Sequence, residues 1–157
     1  MIFWNPVFAQ SQWASRVSEE LGTFQKNYLY PSVLRALNMN ESDEFNQLIK
    51  DINYVRVLRI DSAFIAENQV LLSDAKSELE KEMFENVAQM LDPDGSVKTL
   101  LVKTKNDRII DFLAYIENEE SLLIIEIVGE LNIKNLRNLM NIDYGNFNEF
   151  VGLGTEL

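Results

Sequence analysis

Three apolar runs in the C-terminal half of the chain constrain its fold more than any other feature. Residues 97–103, 109–116 and 122–128 each have the length and the β-branched or apolar content of a strand. Only short polar segments separate the runs, and connections of that length can join strands only in antiparallel order. The sequence therefore predicts an antiparallel three-strand meander over residues 97–128.

Upstream of the meander, helical periods of apolar residues alternate with one strand-like run. The spacing predicts helices over residues 11–25 and 43–52, a strand over 54–60 and a long helix over 73–91. The apolar face of the long helix would carry Leu79, Met83, Val87 and Met90, and Asp92-Pro93-Asp94-Gly95 would end it.

The remaining segments add short elements at both ends of this order. Pro31 suits the first turn of a short helix, although residues 27–31 also allow a short strand. A last helix is predicted over about residues 133–140. The whole order predicts an α+β fold, a two-layer sandwich whose mainly antiparallel sheet has its helices packed on one face.

Two residue types are missing, and their absence limits the chemistry. The chain has no cysteine and no histidine, which excludes disulfides, thiolate nucleophiles and Ser-His-Asp triads and removes the ligands of nearly every zinc site. We therefore expect no metal, no cofactor and no catalytic residue. The net charge of −11 would repel a phosphate backbone, so nucleic acid is not expected as a partner. No apolar run reaches the roughly 20 residues of a transmembrane helix.

The first nine residues look like the end of a secretory signal peptide. Val7-Phe8-Ala9 places tolerated residues at the −3 and −1 positions before a cut at Gln10, with apolar residues upstream. We therefore expect a periplasmic or secreted protein. The expected organisation is a signal-peptide remnant over 1–9, a single α+β domain over 10–140 and a C-terminal tail over 141–157.

Three arginines are the candidates for ligand binding. Arg56 and Arg59 lie in an apolar strand and, being three residues apart, point to opposite faces of the sheet. A buried guanidinium needs a carboxylate, so at least one of them is predicted to pair with an aspartate, with an anion-binding site as the alternative. Arg35 lies three residues after Ser32, on the same face of the short helix. The candidate aspartates are Asp51, Asp61 and Asp111.

Two acidic patterns suggest chemistry but have simpler explanations. Asp92-x-Asp94-Gly95 resembles part of a calcium loop, yet Lys103 stands where an EF-hand loop needs its bidentate glutamate. A turn that ends a helix is the simpler explanation of that pattern. Paired carboxylates can also hydrolyse glycosides without histidine or cysteine, but among 25 acidic residues chance pairs are inevitable.

Four segments resemble an uncharacterised domain family of exported Bacteroidetes proteins. The similarity covers roughly residues 15–140, and it implies an envelope or secreted location without implying an activity or a cofactor. The matching runs are Tyr30-Pro-Ser-Val-Leu-Arg-Ala-Leu-Asn38, Phe45-Asn-Gln-Leu-Ile-Lys-Asp-Ile52, Val55-Arg-Val-Leu58 and Gly129-Glu-Leu-Asn-Ile-Lys-Asn-Leu136.

The residues and the resemblance together favour a non-catalytic exported domain that binds another component of the envelope, a protein or a small ligand. Two alternatives stay open: a carboxylate-dependent hydrolase, and a structural homo-oligomer formed through an open edge of the meander.

Overall fold

A computed structural model describes residues 10–20, 25–36, 43–67, 73–118 and 121–132 of the chain. These parts form an α+β fold in which one six-stranded antiparallel sheet carries short helices. None of the described helices is long and apolar enough to cross a bilayer.

The predicted meander is confirmed and is extended by one strand. Strands β3 (Phe84–Leu91), β4 (Val97–Lys105), β5 (Arg108–Glu117) and β6 (Ser121–Leu131) follow one another in the chain and lie side by side in the sheet. At the β4–β5 turn, Asn106 and Asp107 have φ of 50° and 60°, the backbone that a two-residue hairpin requires.

Two earlier strands complete the sheet on the other side of β6. Strand β2 (Ile52–Asp61) is the predicted strand over 54–60, and it pairs with β6. Strand β1 (Gln25–Leu29) pairs with β2, so the short strand that the sequence allows near residues 27–31 is present. The spatial order is β1-β2-β6-β5-β4-β3, which leaves β1 and β3 as the outermost strands of the described sheet.

Gly129 follows the predicted strand over residues 122–128, but it lies within β6, which continues to Leu131. Its φ is 155°, and a Cβ at this position would collide with the backbone of Asp51 and Ile52. Glu130 N–H donates to the Asp51 carbonyl at 3.0 Å, next to the register shift that follows Ile52. Glycine therefore allows the two strands to approach closely where β2 begins.

The predicted long helix over residues 73–91 is wrong. A seven-residue helix (Ala75–Lys81, numbered α5 in the chain order given below) is followed by the strand β3, and Met83, at φ 65°, reverses the backbone between them. The apolar residues of this segment fit the spacing of a helix and also that of a strand. In the structure Leu79 is a buried residue of the helix, whereas Phe84 and Ala88 pack against the cores as residues of the strand. Pairing with β4 decides the outcome, because it satisfies backbone groups that an isolated helix end leaves open.

Helices lie on both faces of the sheet, which corrects the prediction that they pack on one face. Helices α1 (Gln12–Glu20) and α5 cover one face, and α2 (Pro31–Ala36) and α3 (Asp43–Ile49) cover the other. Helix α4 (Ser62–Glu67) follows β2. The reason lies in the strands, since β2, β5 and β6 are buried on both sides and each side needs a cover.

Each face has its own hydrophobic core. We call the face under α2 and α3 the apolar face; its core includes Val57, Phe112 and Ile125. The face under α1 and α5 is called the α1 face, and its core includes Trp13, Leu79 and Ile124. The predicted signal-peptide remnant, the last helix over 133–140 and the tail over 141–157 lie outside the described residues.

Candidate functional site

The three arginines chosen from the sequence do not converge on one site. Arg56 is buried on the α1 face, whereas Arg59, three residues later in the same strand, is half-buried on the other side. Arg35 is exposed on α2. A shared anion site built from these three residues is therefore not formed, and Arg56 alone leads to a buried polar cluster.

Arg56 forms the ion pair that the strand arginines predicted, but with a different partner. Its Nη2 atom lies 2.6 Å from Oε2 of Glu126, and both side chains are completely inaccessible to solvent. The two residues face each other across the β2–β6 ladder. The partner is therefore a glutamate from the last strand rather than Asp51, Asp61 or Asp111.

The pair is bonded directly to the start of helix α1. Glu126 Oε1 accepts the Ser11 N–H at 2.5 Å. Arg56 Nη1 donates to Ser15 Oγ at 2.8 Å, and its Nη2 donates to the Ser11 carbonyl at 3.2 Å. The ion pair thus joins two strands and also fixes where the first turn of α1 sits on the sheet.

A second carboxylate, from the end of α5, caps the same helix. Glu82 accepts the N–H groups of Gln12 and Trp13 at 2.8 and 2.6 Å. Ser11 Oγ accepts the N–H of Ala14 at 3.1 Å, the usual N-cap bond. Together with the Ser11 N–H bond to Glu126, all four N-terminal N–H groups of α1 have acceptors. Negative charge at this end also suits the helix dipole.

Asp111 lies beside this pair and is the least satisfied group in the described structure. It is fully buried, and neither carboxylate oxygen meets a hydrogen-bond donor. Asp111 pairs across the ladder with Val128, which places it diagonally next to Glu126. On its other side it faces Lys103, whose Nζ stands 5.3 Å from the centre of the Phe84 ring.

The electrostatics make Asp111 the natural holder of a proton. Burial raises its pKa well above the ordinary value, and the nearby charge of Glu126 raises it further. Lys103 and Arg56 act in the opposite direction, but their effect is smaller. Burial also raises the pKa of Glu126, while Arg56 favours its ionised form. A protonated Asp111 can then donate its O–H to the Glu126 carboxylate, so that both side chains gain a hydrogen-bond partner.

A paired carboxylic acid and carboxylate is the arrangement that glycosidases use, but this pair is not open to a substrate. Asp111 and Glu126 have no exposed surface, and the first turn of α1 is bonded over Glu126. In the folded domain, the cluster can therefore bind and release a proton but cannot contact a reacting molecule. It also offers no metal ligands beyond its two carboxylates, and the described residues contain no group of three acidic side chains suited to a metal.

The calcium-like pattern after β3 is a turn closed by internal bonds. Asp94 accepts both the N–H and the hydroxyl of Ser96, at 2.9 and 2.7 Å. Asp92 lies 2.7 Å from the Lys98 ammonium. Gly95 has φ of 85°, as such a turn requires. Asp94 is bonded to Ser96 and Asp92 is paired with Lys98, so the turn itself explains the acidic pattern.

Two open depressions lie at the end of the sheet where β2 begins. The larger measures about 560 Å³, and charges of both signs line the two. Arg108 and Glu130 form a 2.6 Å ion pair there that is largely exposed. The predicted partner Asp51 lines both depressions, far in the sheet from Arg56. The residues that line the depressions include none of the cluster under α1.

The comparisons with known proteins bear on family alone. A family model described as a domain of unknown function, DUF4252, matches residues 19–139. The chain belongs to the DUF4252 family. Neither the curated proteins nor the solved structures gave a match. The DUF4252 match confirms the resemblance as far as an uncharacterised domain family, and it covers every strand of the sheet.

Sequence reasoning found Arg56 but missed most of its neighbours in this DUF4252 domain. Glu126 carried a usable signal, because it is the single charge within the apolar run over 122–128. A lone cation in one buried strand and a lone anion in another indicate a pair once the strands are adjacent. Ser11 and Glu82 carried no such signal, since their roles depend on how α1 and α5 meet.

Proposed function

We propose that this chain is an exported, non-catalytic binding domain of a Bacteroidetes envelope, and that it binds an extended segment of a protein partner along strand β3. Export is supported by the Val7-Phe8-Ala9 pattern before Gln10. The non-catalytic role is supported by the closed cluster under α1 and by the lack of cysteine and histidine.

The observation that carries the proposal is the exposed apolar edge of the sheet at β3. Leu91 is 75% exposed, Val87 is 44% exposed, and Met83, just before the strand, is 69% exposed. β3 is the last strand of the described sheet, so one side of its backbone faces outward. Natural proteins usually protect such an edge with lysine, proline or a short strand. β3 has eight residues and contains neither lysine nor proline; its protections are one exposed charge, Glu85, and a register shift with β4 between Asn86 and Ala88.

The other outermost strand shows the protection that β3 lacks. β1 has five residues, and Lys26 lies within it. Pro31, two residues beyond its end, begins the following helix α2. The greater length of β3 and its lack of lysine support our proposal that it pairs with a partner by strand addition.

Charge defines what kind of segment suits the β3 edge. Glu85 lies near its start and Asp94 follows its end, and both side chains are exposed. The chain as a whole has a net charge of −11. An extended segment with alternating apolar residues and basic residues at both ends would complement this edge, because opposite charges also favour its approach.

The same edge favours one second candidate, a structural homo-oligomer. Antiparallel pairing of β3 with β3 of another copy would join two sheets into one. The net charge of −11 opposes this pairing, since two identical acidic edges would meet. A partner with basic ends is therefore the occupant that we propose, and self-association is an outcome that the test can show.

Binding can be tested with a synthetic peptide of alternating valine and threonine with lysines at both ends. We expect fluorescence anisotropy to show binding to the wild type, and hydrogen exchange to show new protection in β3. Val87→Lys should weaken binding about tenfold or more, roughly 1.4 kcal/mol. The matched control is Val33→Lys on α2, because Val33 is 43% exposed and Val87 is 44% exposed.

The outcomes separate the two candidates. A peptide with glutamates at its ends should bind more weakly than the lysine version. Self-association in sedimentation equilibrium that Val87→Lys abolishes would favour the homo-oligomer. Equal peptide binding by the Val87→Lys and wild-type proteins would reject β3 as the binding edge.

Export can be tested separately by expressing the gene with its native upstream sequence in a Bacteroidetes host. Mass spectrometry of the envelope fraction should give a mature protein that begins at Gln10, in its free or cyclised form. Recovery from the cytoplasm with Met1 and the following residues retained would contradict export but would leave the β3 proposal intact.

A further inference from the structure

We propose that Asp111 and Glu126 form a buried proton-binding site that controls how firmly helix α1 is held on the sheet. One proton is shared between the two side chains. When that proton is lost to solvent, the first turn of α1 is released. This inference concerns the α1 face and does not depend on the binding role of β3.

The geometry favours a proton at this site. Asp111 and Glu126 are diagonal neighbours on β5 and β6, both completely buried. Two ionised carboxylates can only accept hydrogen bonds, so neither could bond to the other. Both oxygens of Asp111 lack a donor, and Glu126 Oε2, although 2.6 Å from Arg56, has no aligned N–H. A proton on Asp111 supplies the missing donor and finds an acceptor in Glu126.

The two cations near the pair lower the pKa of Asp111 less than burial and Glu126 raise it. Arg56 is already committed to Glu126 and to Ser11 and Ser15 of α1. Lys103 faces Asp111 from β4, and its ammonium lies over the Phe84 ring. The titratable or charged groups that act on the site are Arg56 and Tyr54 from β2 and Lys103 from β4. Tyr28 of β1 pairs with Arg56 across the ladder, and Glu82 after α5 is bonded to the first turn of α1.

Helix α1 is the element that responds, because its backbone is bonded to the site. Glu126 Oε1 holds the Ser11 N–H, and Arg56 holds the Ser11 carbonyl. An ionised Asp111 would need water or a new donor, and both can enter when the first turn of α1 leaves. Release would break the bonds of Ser11 and Ser15 while leaving the β2–β6 ladder in place.

The direction of the pH effect follows from the raised pKa of Asp111, which burial causes. The folded state keeps its proton over a pH range in which the unfolded chain has lost it. Rising pH therefore works against the closed form of α1, and the release should follow a single-proton curve above the ordinary pKa of aspartate, about 3.9.

Trp13 reports directly on α1, since it is buried in the helix and packs with its ring centre 6.1 Å from that of Tyr115. The chain has two tryptophans, so Trp4→Phe in the full-length protein leaves Trp13 as the only tryptophan, which can be excited selectively over the five tyrosines. We expect acrylamide quenching of Trp13 to rise several-fold as the pH is raised from about 4 into the mildly alkaline range, before global unfolding. Amide exchange at Ser11 should accelerate over the same range.

Asp111→Asn, made in this background, provides the decisive variant. The amide donates to Glu126 at every pH and cannot lose that donor, so quenching of Trp13 should stay low and independent of pH. Asn occupies nearly the same volume, and the change removes an unsatisfied buried acid, so we expect this variant to fold. Glu117→Gln is the matched control, because Glu117 lies on the same strand and burial raises its pKa as well.

The results decide the proposal. A pH-dependent rise in quenching that Asp111→Asn removes and Glu117→Gln retains supports the shared proton. No rise in the wild type over this range, or the same rise in Asp111→Asn, would overturn it. A rise that coincides with loss of all sheet protection in hydrogen exchange would also overturn it, because it would report global unfolding rather than release of α1.

Discussion

The two faces of the sheet are buried in different ways, although the same strands build both. On the apolar face, Val55 and Val57 lie on either side of Arg56 in the chain, and Ile125 and Ile127 lie on either side of Glu126. Both members of the ion pair on the α1 face are therefore flanked in sequence by core residues of the opposite face. One face is closed by hydrophobic contact alone, and the other also by an ion pair.

This difference teaches what each kind of burial specifies. Hydrophobic burial is non-directional, so it can hold α2 and α3 on the sheet without fixing them bond by bond. The bonds of Glu126 and Arg56 to Ser11 are directional, and they fix one position for the first turn of α1. We infer that the charges on the α1 face determine the position of α1 more than they determine total stability, since buried ion pairs often contribute little net free energy.

The largest effect should come from breaking the buried ion pair on one side only. Arg56→Met leaves Glu126 buried without its cation, so we expect the free energy of unfolding to fall by about 3–5 kcal/mol. The double variant Arg56→Met with Glu126→Leu should recover most of that loss. Urea denaturation of the three proteins measures both effects. A double variant as unstable as the single one would show that the pair itself stabilises the fold.

A smaller effect is expected from removing the cap that α5 gives to α1. Glu82→Ala leaves the N–H groups of Gln12 and Trp13 without their acceptor, at a cost of about 1 kcal/mol. Hydrogen exchange should accelerate at these two amides but not in β5. The control is Glu85→Ala, an exposed change on β3 expected to stay within about 0.5 kcal/mol. Equal exchange at Gln12 in the two variants would argue against the cap.

On the apolar face, a core substitution should lower the free energy of unfolding by a similar or smaller amount, and the loss should not depend on pH. Ile125→Val removes one methylene from the core and should cost about 0.5–1.5 kcal/mol in denaturant unfolding. Because Ile125 packs among hydrophobic residues on the side of the sheet opposite Asp111 and Glu126, the loss should be the same at mildly acidic and mildly alkaline pH. A loss that varied with pH would show that the two faces are not independent.

Much of the fold could be predicted because the strand signals are local. The period-two pattern of residues 97–128 and the β-branched run of β2 each identify a strand without knowledge of the rest. The segment over 84–91 could not be assigned in this way. Its apolar residues fit a helix as a continuation of 73–83, and only pairing with β4 makes it a strand. Helices cover both faces because β6 and its neighbours are buried on both sides. The spacing of apolar residues along single segments did not show this.

The site could be predicted only in part, because its bonds connect distant parts of the chain. A guanidinium in an apolar strand predicts a buried partner, and that prediction led to Arg56 correctly. The choice of partner depended on strand order, which places β6 rather than β5 next to β2. The bond from Glu126 to Ser11 spans 115 positions, and no local pattern in the sequence encodes it.

The pH dependence of global stability tests the shared proton most directly. Burial and the Glu126 charge raise the pKa of Asp111 in the folded state, so the folded protein binds more protons than the unfolded chain above about pH 4. Its stabilising contribution is therefore present at low pH and is lost as pH rises through the folded pKa. Relative to Asp111→Asn, the wild type should lose free energy of unfolding as the pH rises above about 4. Parallel curves for the two proteins would contradict the account.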